Sequence, residues 1–211
     1  MATTINASTS NGLIQTADTS GVLALQAADT TIASVSSTGV AVTGAITATG
    51  QIAAIKSETA QATTSGTTKD FTSIPSWVKQ ITVMYTSLST NGSSIPIIQF
   101  GTGATPTYTT SGYLGTATRV TGTPGLVAYS SGFLIADTWA AGSSVSGQFI
   151  FSNLTGNNWV GTSINGSTSG GNVNVSGGSV PLGAVLTAVR LTTVNGTDAF
   201  DAGSVNILYE G

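Results

Sequence analysis

The sequence contains no cysteine and no histidine. Without cysteine there is no disulfide framework and no thiolate chemistry. Without histidine the usual metal ligand and proton shuttle are missing, and the abundant serines have no ordinary base to activate them as nucleophiles. We therefore predict that the chain is not an enzyme and that it uses no cofactor.

Charge is also scarce: only 6% of the residues are charged, against about 25% in a typical globular protein. The five basic residues are scattered, whereas binding a phosphate backbone needs a clustered basic patch, so we expect no nucleic-acid partner. No apolar run is long enough to span a bilayer, and we expect no membrane insertion. No basic segment followed by an apolar run opens the sequence, so we expect assembly in a cytoplasm without secretion.

Aromatic residues are absent from the first seventy positions, and every Phe, Tyr and Trp lies at or after Phe71. Because aromatic side chains supply much of the burial energy of a globular core, this boundary divides the chain into a slender arm and a true domain. We predict a flexible docking terminus at residues 1–11, a fibrous stem and linker at 12–68, and a distal domain at 69–211. The domain is expected to fold without residues 1–63.

Glycines in the arm separate short runs of small and β-branched residues in which apolar side chains alternate. Such alternation predicts strands with one buried face, but these side chains are too small to form a core within one chain. Several copies wrapped around one axis would bury them. The residues expected to make the contacts between copies are Leu23, Leu25, Val40, Val42, Ile46 and Ile52. Residues 51–63 are compatible with a short helix or with one more strand.

The second half shows the pattern of antiparallel β-structure. Alternating segments predict strands near 78–86, 95–100, 133–136, 145–151, 158–162, 185–194 and 203–210. The Asn-Gly dipeptide at 91–92 predicts a hairpin turn, and those at 165–166 and 195–196 predict turns of the same kind. The Ser/Gly-rich segment 163–178 is expected to be an exposed loop. Together these features predict an all-β fold, with the stem followed by an antiparallel β-sandwich or jelly roll.

Sugar-binding pockets combine apolar walls with a few oriented polar groups. The run Asn157-Asn158-Trp159 and the segment from Tyr108 to Tyr113 fit this description. The alternative for Trp159 is a core residue on a strand, with the two asparagines in the preceding turn. Two further tryptophans could also bind a ligand or pack in the core. Trp77 is expected at the junction of arm and domain, and Trp139 is compatible with binding or with packing.

Carboxylates are too few for confident assignment of chemistry. Polysaccharide hydrolysis needs two facing carboxylates, and the scarcity of acidic residues argues against it. Asp198 and Asp201 are weak candidates for a calcium site, because hard cations bind clustered oxygens. The alternative is a turn in which Asp and Asn bond their own backbone, and we predict no metal.

The glycine-punctuated arm, with Gly21-Val-Leu-Ala-Leu-Gln and Gly39-Val-Ala-Val-Thr-Gly-Ala-Ile-Thr-Ala-Thr-Gly50, resembles the stems of tailed-bacteriophage fibre proteins. The segments Lys69-Asp-Phe-Thr-Ser-Ile-Pro-Ser-Trp-Val-Lys-Gln-Ile-Thr-Val-Met-Tyr and Val189-Arg-Leu-Thr-Thr-Val-Asn-Gly-Thr-Asp-Ala-Phe-Asp-Ala-Gly-Ser-Val-Asn-Ile-Leu-Tyr-Glu resemble a β-rich domain at the distal end of such fibres.

The resemblance implies a homotrimeric virion appendage that is fixed to other virion proteins by its N-terminal arm. Its distal domain would bind a bacterial surface glycan or protein during host attachment. The alternative within the same resemblance is a capsid decoration, or head fibre, with a mainly structural role.

Overall fold

The computed structural model describes residues 23–27, 30–37, 39–42, 55–120, 125–168 and 171–211. The chain divides into two compact units, Met1–Ile52 and Ala53–Gly211. The predicted docking terminus, Ile46 and Ile52 lie outside the described residues. In the described part of the chain, no helix has the length and apolar character to span a membrane.

The first unit contains a three-stranded antiparallel sheet built from β1 (Leu23–Ala27), β2 (Thr30–Ser36) and β3 (Gly39–Val42), in that order. The alternation in these segments therefore predicted strands correctly. Leu25 is 49% exposed and Val40 is 67% exposed, and Val42 is also exposed. These apolar side chains are left uncovered within a single chain, while trimerisation through them stays a prediction.

The second unit is all-β, and its strands are antiparallel throughout the described ranges. They are β4 (Ile55–Ser57), β5 (Gln61–Ala62), β6 (Lys69–Thr72), β7 (Gln80–Thr90), β8 (Pro96–Thr102), β9 (Thr107–Tyr108), β10 (Gly115–Val120), β11 (Leu126–Tyr129), β12 (Phe133–Leu134), β13 (Val145–Thr155), β14 (Asn158–Ser167), β15 (Asn172–Pro181), β16 (Leu186–Thr193) and β17 (Phe200–Glu210). The larger sheet has the order β11-β10-β15-β14-β13-β7-β17-β4, with β5 also paired to β17. The smaller sheet has the order β12-β8-β16-β6, with β9 paired to β8.

An aromatic cluster joins the two sheets in one core. Phe100 on β8 and Phe133 on β12 contribute from the smaller sheet, and Phe149, Phe151 and Trp159 contribute from the larger. The ring of Phe100 lies edge-on to Phe151, with centroids 4.9 Å apart, and edge-on to Trp159 at 5.6 Å. Such edge-to-face pairs add specific geometry to the burial of apolar area. The side chains between the sheets therefore fix how the sheets pack.

The segment before residue 69 pairs with the last strand of the second unit. Strands β4 and β5 both lie against β17, so the helix alternative for residues 51–63 is wrong within the described range. Thr63 is fully buried, where its hydroxyl donates to the carbonyl of Ala202 at 2.8 Å and its N–H donates to Gly203 at 2.9 Å. Residues assigned to the stem and linker in the sequence analysis thus contribute to this unit.

One predicted turn and the predicted loop are wrong because their residues form strands. Asn165-Gly166 lies within β14, and most of the segment 163–178 is the hairpin of β14 and β15 rather than an exposed loop. The other two Asn-Gly turns are present, but they close no hairpin. Asn91-Gly92 leads from β7 in the larger sheet to β8 in the smaller one, and Asn195-Gly196, with a φ of 68° at Gly196, leads from β16 in the smaller sheet to β17 in the larger.

Candidate functional site

The inward-facing positions of two central strands change from apolar to polar along their length. Side chains that face each other on β14 and β15 share one face of the sheet, since strand residues alternate between faces. Buried inward pairs occur in the order Trp159 with Val180, Ser163 with Ser176, and Asn165 with Asn174. We call the region around the last two pairs, together with Arg119, Asp137 and Trp139, the polar end of the domain.

Buried polar groups cost stability unless each one finds a hydrogen-bond partner. Asn165 is satisfied: its side-chain N–H groups donate to the carbonyl of Ile135 and to the hydroxyl of Ser163, both at 3.0 Å, and its oxygen accepts from Tyr85. Burial raises the pKa of the Tyr85 hydroxyl, which therefore stays protonated and donates. This network fixes the positions of the buried Tyr85, Ser163 and Asn165 side chains at the polar end.

Arg119 and Asp137 form an ion pair beside this network in which the aspartate side chain is buried and the arginine side chain is half-buried. Arg119 lies on β10 opposite Asn174, so it shares the inward face. Its Nε is 3.5 Å from Oδ2 of Asp137, whose side chain is only 4% exposed. The other oxygen, Oδ1, is buried and has no hydrogen-bond partner among the described residues. A carboxylate oxygen in this state is an acceptor in need of a donor.

Gly125 allows the Asp137 carboxylate to sit where it does. A Cβ placed at residue 125 would lie 2.0 Å from Oδ2 of Asp137 and 3.5 Å from Nε of Arg119. A side chain at this position would displace the carboxylate, since no real Cβ approaches an oxygen so closely. The glycine is therefore part of the geometry of the ion pair.

Trp139 lies between two depressions at the polar end. It is 7% exposed, and its Nε1 donates to the hydroxyl of Thr90 at 2.7 Å. One depression, of about 100 Å³, is lined by Arg119, Asp137 and Asn174 as well as Trp139. The other, of about 290 Å³, is lined by Asp137 and Trp139 with residues that include Tyr129. The larger volume is close to the lower limit of about 300 Å³ for small-molecule sites.

The polar end combines an indole, a carboxylate, a guanidinium and several amides and hydroxyls. This mixture of one apolar wall and convergent polar groups is typical of sites that orient a polar ligand. Among the described residues there is no cluster of three acidic, cysteine or histidine side chains that could hold a metal ion. The site is thus equipped for binding through hydrogen bonds and aromatic contact.

Two of the residues predicted for binding lie in the core instead. Trp159 is 4% exposed and packs on Phe100, so the alternative of a core residue is confirmed. Tyr113 is 2% exposed; its ring lies edge-on to Phe133 and its oxygen accepts the N–H of Phe100 at 2.8 Å. Burial raises the pKa of Tyr113 to about 12. The expectation that these two rings are open to a sugar is therefore corrected.

Tyr108 is covered on one face by a cation. The guanidinium of Arg190 lies 3.7 Å from the centre of the Tyr108 ring, and Arg190 also makes two hydrogen bonds to Asp70, at 2.8 and 2.7 Å. Burial raises the pKa of Tyr108 to about 12. The Tyr108 ring therefore belongs to a structural stack that joins β9, β16 and β6, and it lies apart from the predicted asparagines.

Of the two predicted asparagines, Asn157 lies in the turn before β14 and Asn158 is the first residue of that strand. Asn157 lines a shallow depression of about 80 Å³ together with Pro75, Lys79 and one edge of Trp159. Asn158 is exposed, and its carbonyl accepts the side-chain N–H of Asn153 at 3.2 Å. The structure thus brings Asn157 and Trp159 together, but it gives this depression no buried charge.

Of the two weak calcium candidates, Asp198 lies in the turn after β16 and Asp201 lies on β17. The Asp198 carboxylate accepts the N–H of Ser94 at 2.8 Å and the side-chain N–H of Asn195 at 2.7 Å. These hydrogen bonds, first that from Asn195 and then that from Ser94, lower the pKa of Asp198. Asp201 is exposed. The alternative proposed for this segment, a turn built on its own backbone, is the one that the structure shows.

The polar end was not predicted from the sequence, although its signal was present. The run Asn172-Val-Asn-Val-Ser176 alternates polar and apolar side chains with a period of two, which is typical of a strand. The high content of serine and glycine on either side led instead to the prediction of a loop. A strand with amides on its inward face would have indicated a buried polar site.

Comparisons with protein-family models, with curated proteins and with solved structures give no match. What the chain does is therefore inferred from its sequence and its geometry.

Proposed function

We propose that the chain is a structural fibre protein of a bacteriophage virion and that it binds a bacterial surface glycan through the polar end of its C-terminal unit. The protein acts by binding alone, without catalysis. Its N-terminal arm attaches it to other virion proteins, and three copies associate through an intertwined stem. The C-terminal unit, a β-sandwich or jelly roll, is the outer part of the fibre.

The observation that carries the binding function is the buried carboxylate of Asp137 beside Trp139. Its Oδ1 lacks a partner among the described residues, and it lines both depressions at the polar end. A sugar offers many hydroxyl donors and an apolar ring face, so it would satisfy the carboxylate and contact the indole together. A domain selected for stability alone would gain more from valine or isoleucine at these inward positions.

The exposed apolar residues of the first unit support the fibre part of the proposal. Leu25, Ile32, Val35 and Val40 are each more than 40% exposed in the single chain. Copies packed around an axis would cover them. Three sugar sites on one fibre would then raise a weak affinity per site through avidity, which suits attachment to a repetitive surface.

A bacterial-glycan array tests the binding site directly. The wild-type protein is expected to bind at least one surface oligosaccharide, and Asp137→Asn is expected to weaken that binding about tenfold or more, because a charged acceptor is lost. Asn157→Ala is the control, because Asn157 lines the depression before β14 and lies outside the polar end. This variant should leave binding unchanged. Circular dichroism and thermal unfolding would show that both variants are folded.

Equal binding by wild type and Asp137→Asn would contradict the assignment of the site. Loss of binding in Asn157→Ala alone would move the site to the turn before β14. Absence of binding by the wild type to every bacterial glycan would favour the structural alternative, in which the chain decorates the capsid.

Localisation of the chain in a cryo-EM map of the particle tests the virion role. Density at the tail or baseplate, with the polar end pointing outward, is the expected result for host attachment. Density on the capsid lattice would make the protein a head fibre. A particle without the chain would overturn the virion proposal.

A further inference from the structure

The outer face of the larger sheet presents an apolar surface across most of its width. Positions that alternate with the buried core residues point to this face on seven adjacent strands. Nine apolar residues lie on it, and we call them the outer patch: Met84, Val120, Leu126, Ile150, Val160, Ile164, Val173, Val175 and Leu208. Leu126 is 81% exposed and Ile164 is 69% exposed.

The strand registers place these residues side by side. Ile164 lies opposite Val175 on one side and opposite Gln148 on the other, and Gln148 in turn lies opposite Met84. In the next row, Thr162 is followed by Ile150, Thr82 and Leu208. Val173 lies opposite Val120. The outer patch is therefore one continuous surface.

No residue of the outer patch is charged, and neither are its cross-strand neighbours on this face. These neighbours are Ser57, Thr82, Thr118, Gln148, Ser152, Thr162, Gly166, Gly177, Ser179 and Asn206. Soluble proteins usually protect sheet surfaces with charged side chains, lysine above all. The lack of charge on the outer patch and its neighbours is typical of a sheet surface that packs against another protein surface.

The size of the face fits a protein interface when the polar neighbours are included. Strands spaced about 4.8 Å apart, with residues of one face repeating about every 6.8 Å, give each position about 33 Å², so the outer patch covers roughly 300 Å², and the patch with its cross-strand neighbours covers roughly 600 Å². A standard interface buries about 800 Å² on each partner, and the largest apolar patch on a monomer is about 300–600 Å². The apolar residues alone are within the range for monomers, whereas the area with the neighbours is close to what one partner contributes to a stable contact.

We infer that the outer patch is covered by a second copy of the same chain, so that the C-terminal units pack against one another through the larger sheet. The outer patch and its cross-strand neighbours carry no charge, and Glu210, two residues beyond Leu208 on β17, lies at the border of the patch. The patch can therefore meet its own copy with little repulsion between like charges. It also offers no charge by which a different partner would be selected. The inference adds a contact surface to the proposed trimer and rests on that proposal only for the number of copies.

The lack of cysteine in the natural sequence makes single thiols clean reporters of this surface. We compare Ile164→Cys, in the outer patch, with Val185→Cys, which is 50% exposed between β15 and β16 and lies outside it. In the assembled full-length protein, maleimide labelling at position 164 is expected to be at least about tenfold slower than at 185, because a neighbouring copy excludes the reagent. In urea both thiols should react at the same rate.

Equal labelling rates in the native protein would overturn the inference, whatever the stem does. A protein that is monomeric by light scattering at every concentration tested would overturn it as well. Trimers with fast labelling at position 164 would retain the proposed stem but remove the sheet contact. Because glycan binding is not measured here, failure of the sugar site would leave this result unaffected.

Discussion

At the scale of single residues, the few charges in this chain are used to connect segments that are distant in sequence. Arg190 on β16 binds Asp70 on β6, and Arg119 on β10 binds Asp137 after β12. Exposed ion pairs contribute little to stability, typically less than about 1 kcal/mol. The partly covered Arg190 pair, with two hydrogen bonds and an aromatic ring above it, is better organised than such pairs.

Glu58 gives the chain a predictable response to acid. Lys56 donates to Oε1 of Glu58 at 3.0 Å and the hydroxyl of Tyr209 donates to the same oxygen at 2.8 Å. These two hydrogen bonds, with that from Lys56 the larger, lower the pKa of Glu58 below its usual value of 4.5. A carboxylate whose pKa is lowered on folding stabilises the folded state above its unfolded pKa and loses that contribution as pH falls through the folded pKa.

We therefore expect the free energy of unfolding to change little with the ionisation of Glu58 between pH 7 and about 5.5, and to decline below about 4.5. Glu58→Gln, which cannot ionise, should show a shallower decline. Urea unfolding at a series of pH values measures both. Asp198 remains in the variant and supplies part of the slope, since its pKa is also lowered. The same slope in both proteins would exclude the proposed role of Glu58.

At the scale of elements, alternation in the sequence was a better guide than turn dipeptides. Ile81, Val83 and Tyr85 alternate with polar or half-buried residues, and they do face the core from β7. Asn165-Gly166 has the composition of a turn, yet it continues β14, because Asn165 finds partners across the core. Two of these partners, the Tyr85 hydroxyl on β7 and the Ile135 carbonyl after β12, are distant in sequence, so no local pattern shows them.

Gly161 lies in the segment 158–162, which was predicted as a strand, and the structure shows why a glycine is needed there. Gly161 lies on β14 opposite Phe151, and a Cβ at this position would lie 2.3 Å from Cδ1 of Phe151 and 2.9 Å from Cε1 of Phe149. Phe149 and Phe151 stack with centroids 4.4 Å apart and an angle of 1° between their planes. The glycine is therefore needed where a strand passes close over a pair of rings.

Gly161→Ala is expected to lower the free energy of unfolding by about 1–3 kcal/mol, because the added methyl group must displace the Phe149 and Phe151 rings. Gly166→Ala on the same strand is the matched control, since its Cβ would meet nothing nearer than the carbonyl of Ser146 at 4.0 Å. That control should change stability by less than about 1 kcal/mol. Urea denaturation followed by tryptophan fluorescence gives both values, and a similar loss in the two variants would show that ring packing is not the cause.

At the scale of the whole molecule, the sequence predicted two parts and an all-β fold. The first aromatic residue, Phe71, marked the division, whereas the second compact unit begins at Ala53. Residues 55–63 carry no aromatic side chain and little apolar area, so composition placed them with the arm. Their attachment to β17 is made by backbone hydrogen bonds and by polar side chains such as Glu58 and Thr63, which composition does not show.

The residue at which a truncated chain begins therefore determines how stable the C-terminal unit is without the arm. A chain of residues 53–211 keeps β4 and β5, while a chain of residues 64–211 loses both strands. The shorter chain also loses the bond from the Glu58 N–H to the carbonyl of Ile207 at 3.0 Å and the bond from the Gln61 side chain to the carbonyl of Asp70 at 2.7 Å. Each such bond contributes about 1 kcal/mol net.

We expect both truncated chains to fold, with the free energy of unfolding lower by about 2 kcal/mol or more in residues 64–211. Removal of β4 and β5 also uncovers the edge of β17, so the shorter chain should aggregate more readily, because unpaired strand edges recruit other chains. Urea denaturation measures the first effect, and light scattering during storage measures the second. Equal unfolding midpoints and equal scattering would mean that residues 55–63 pair with β17 without stabilising the unit. The division of the chain would then fall after residue 63, closer to the boundary at residue 69 that its composition predicts.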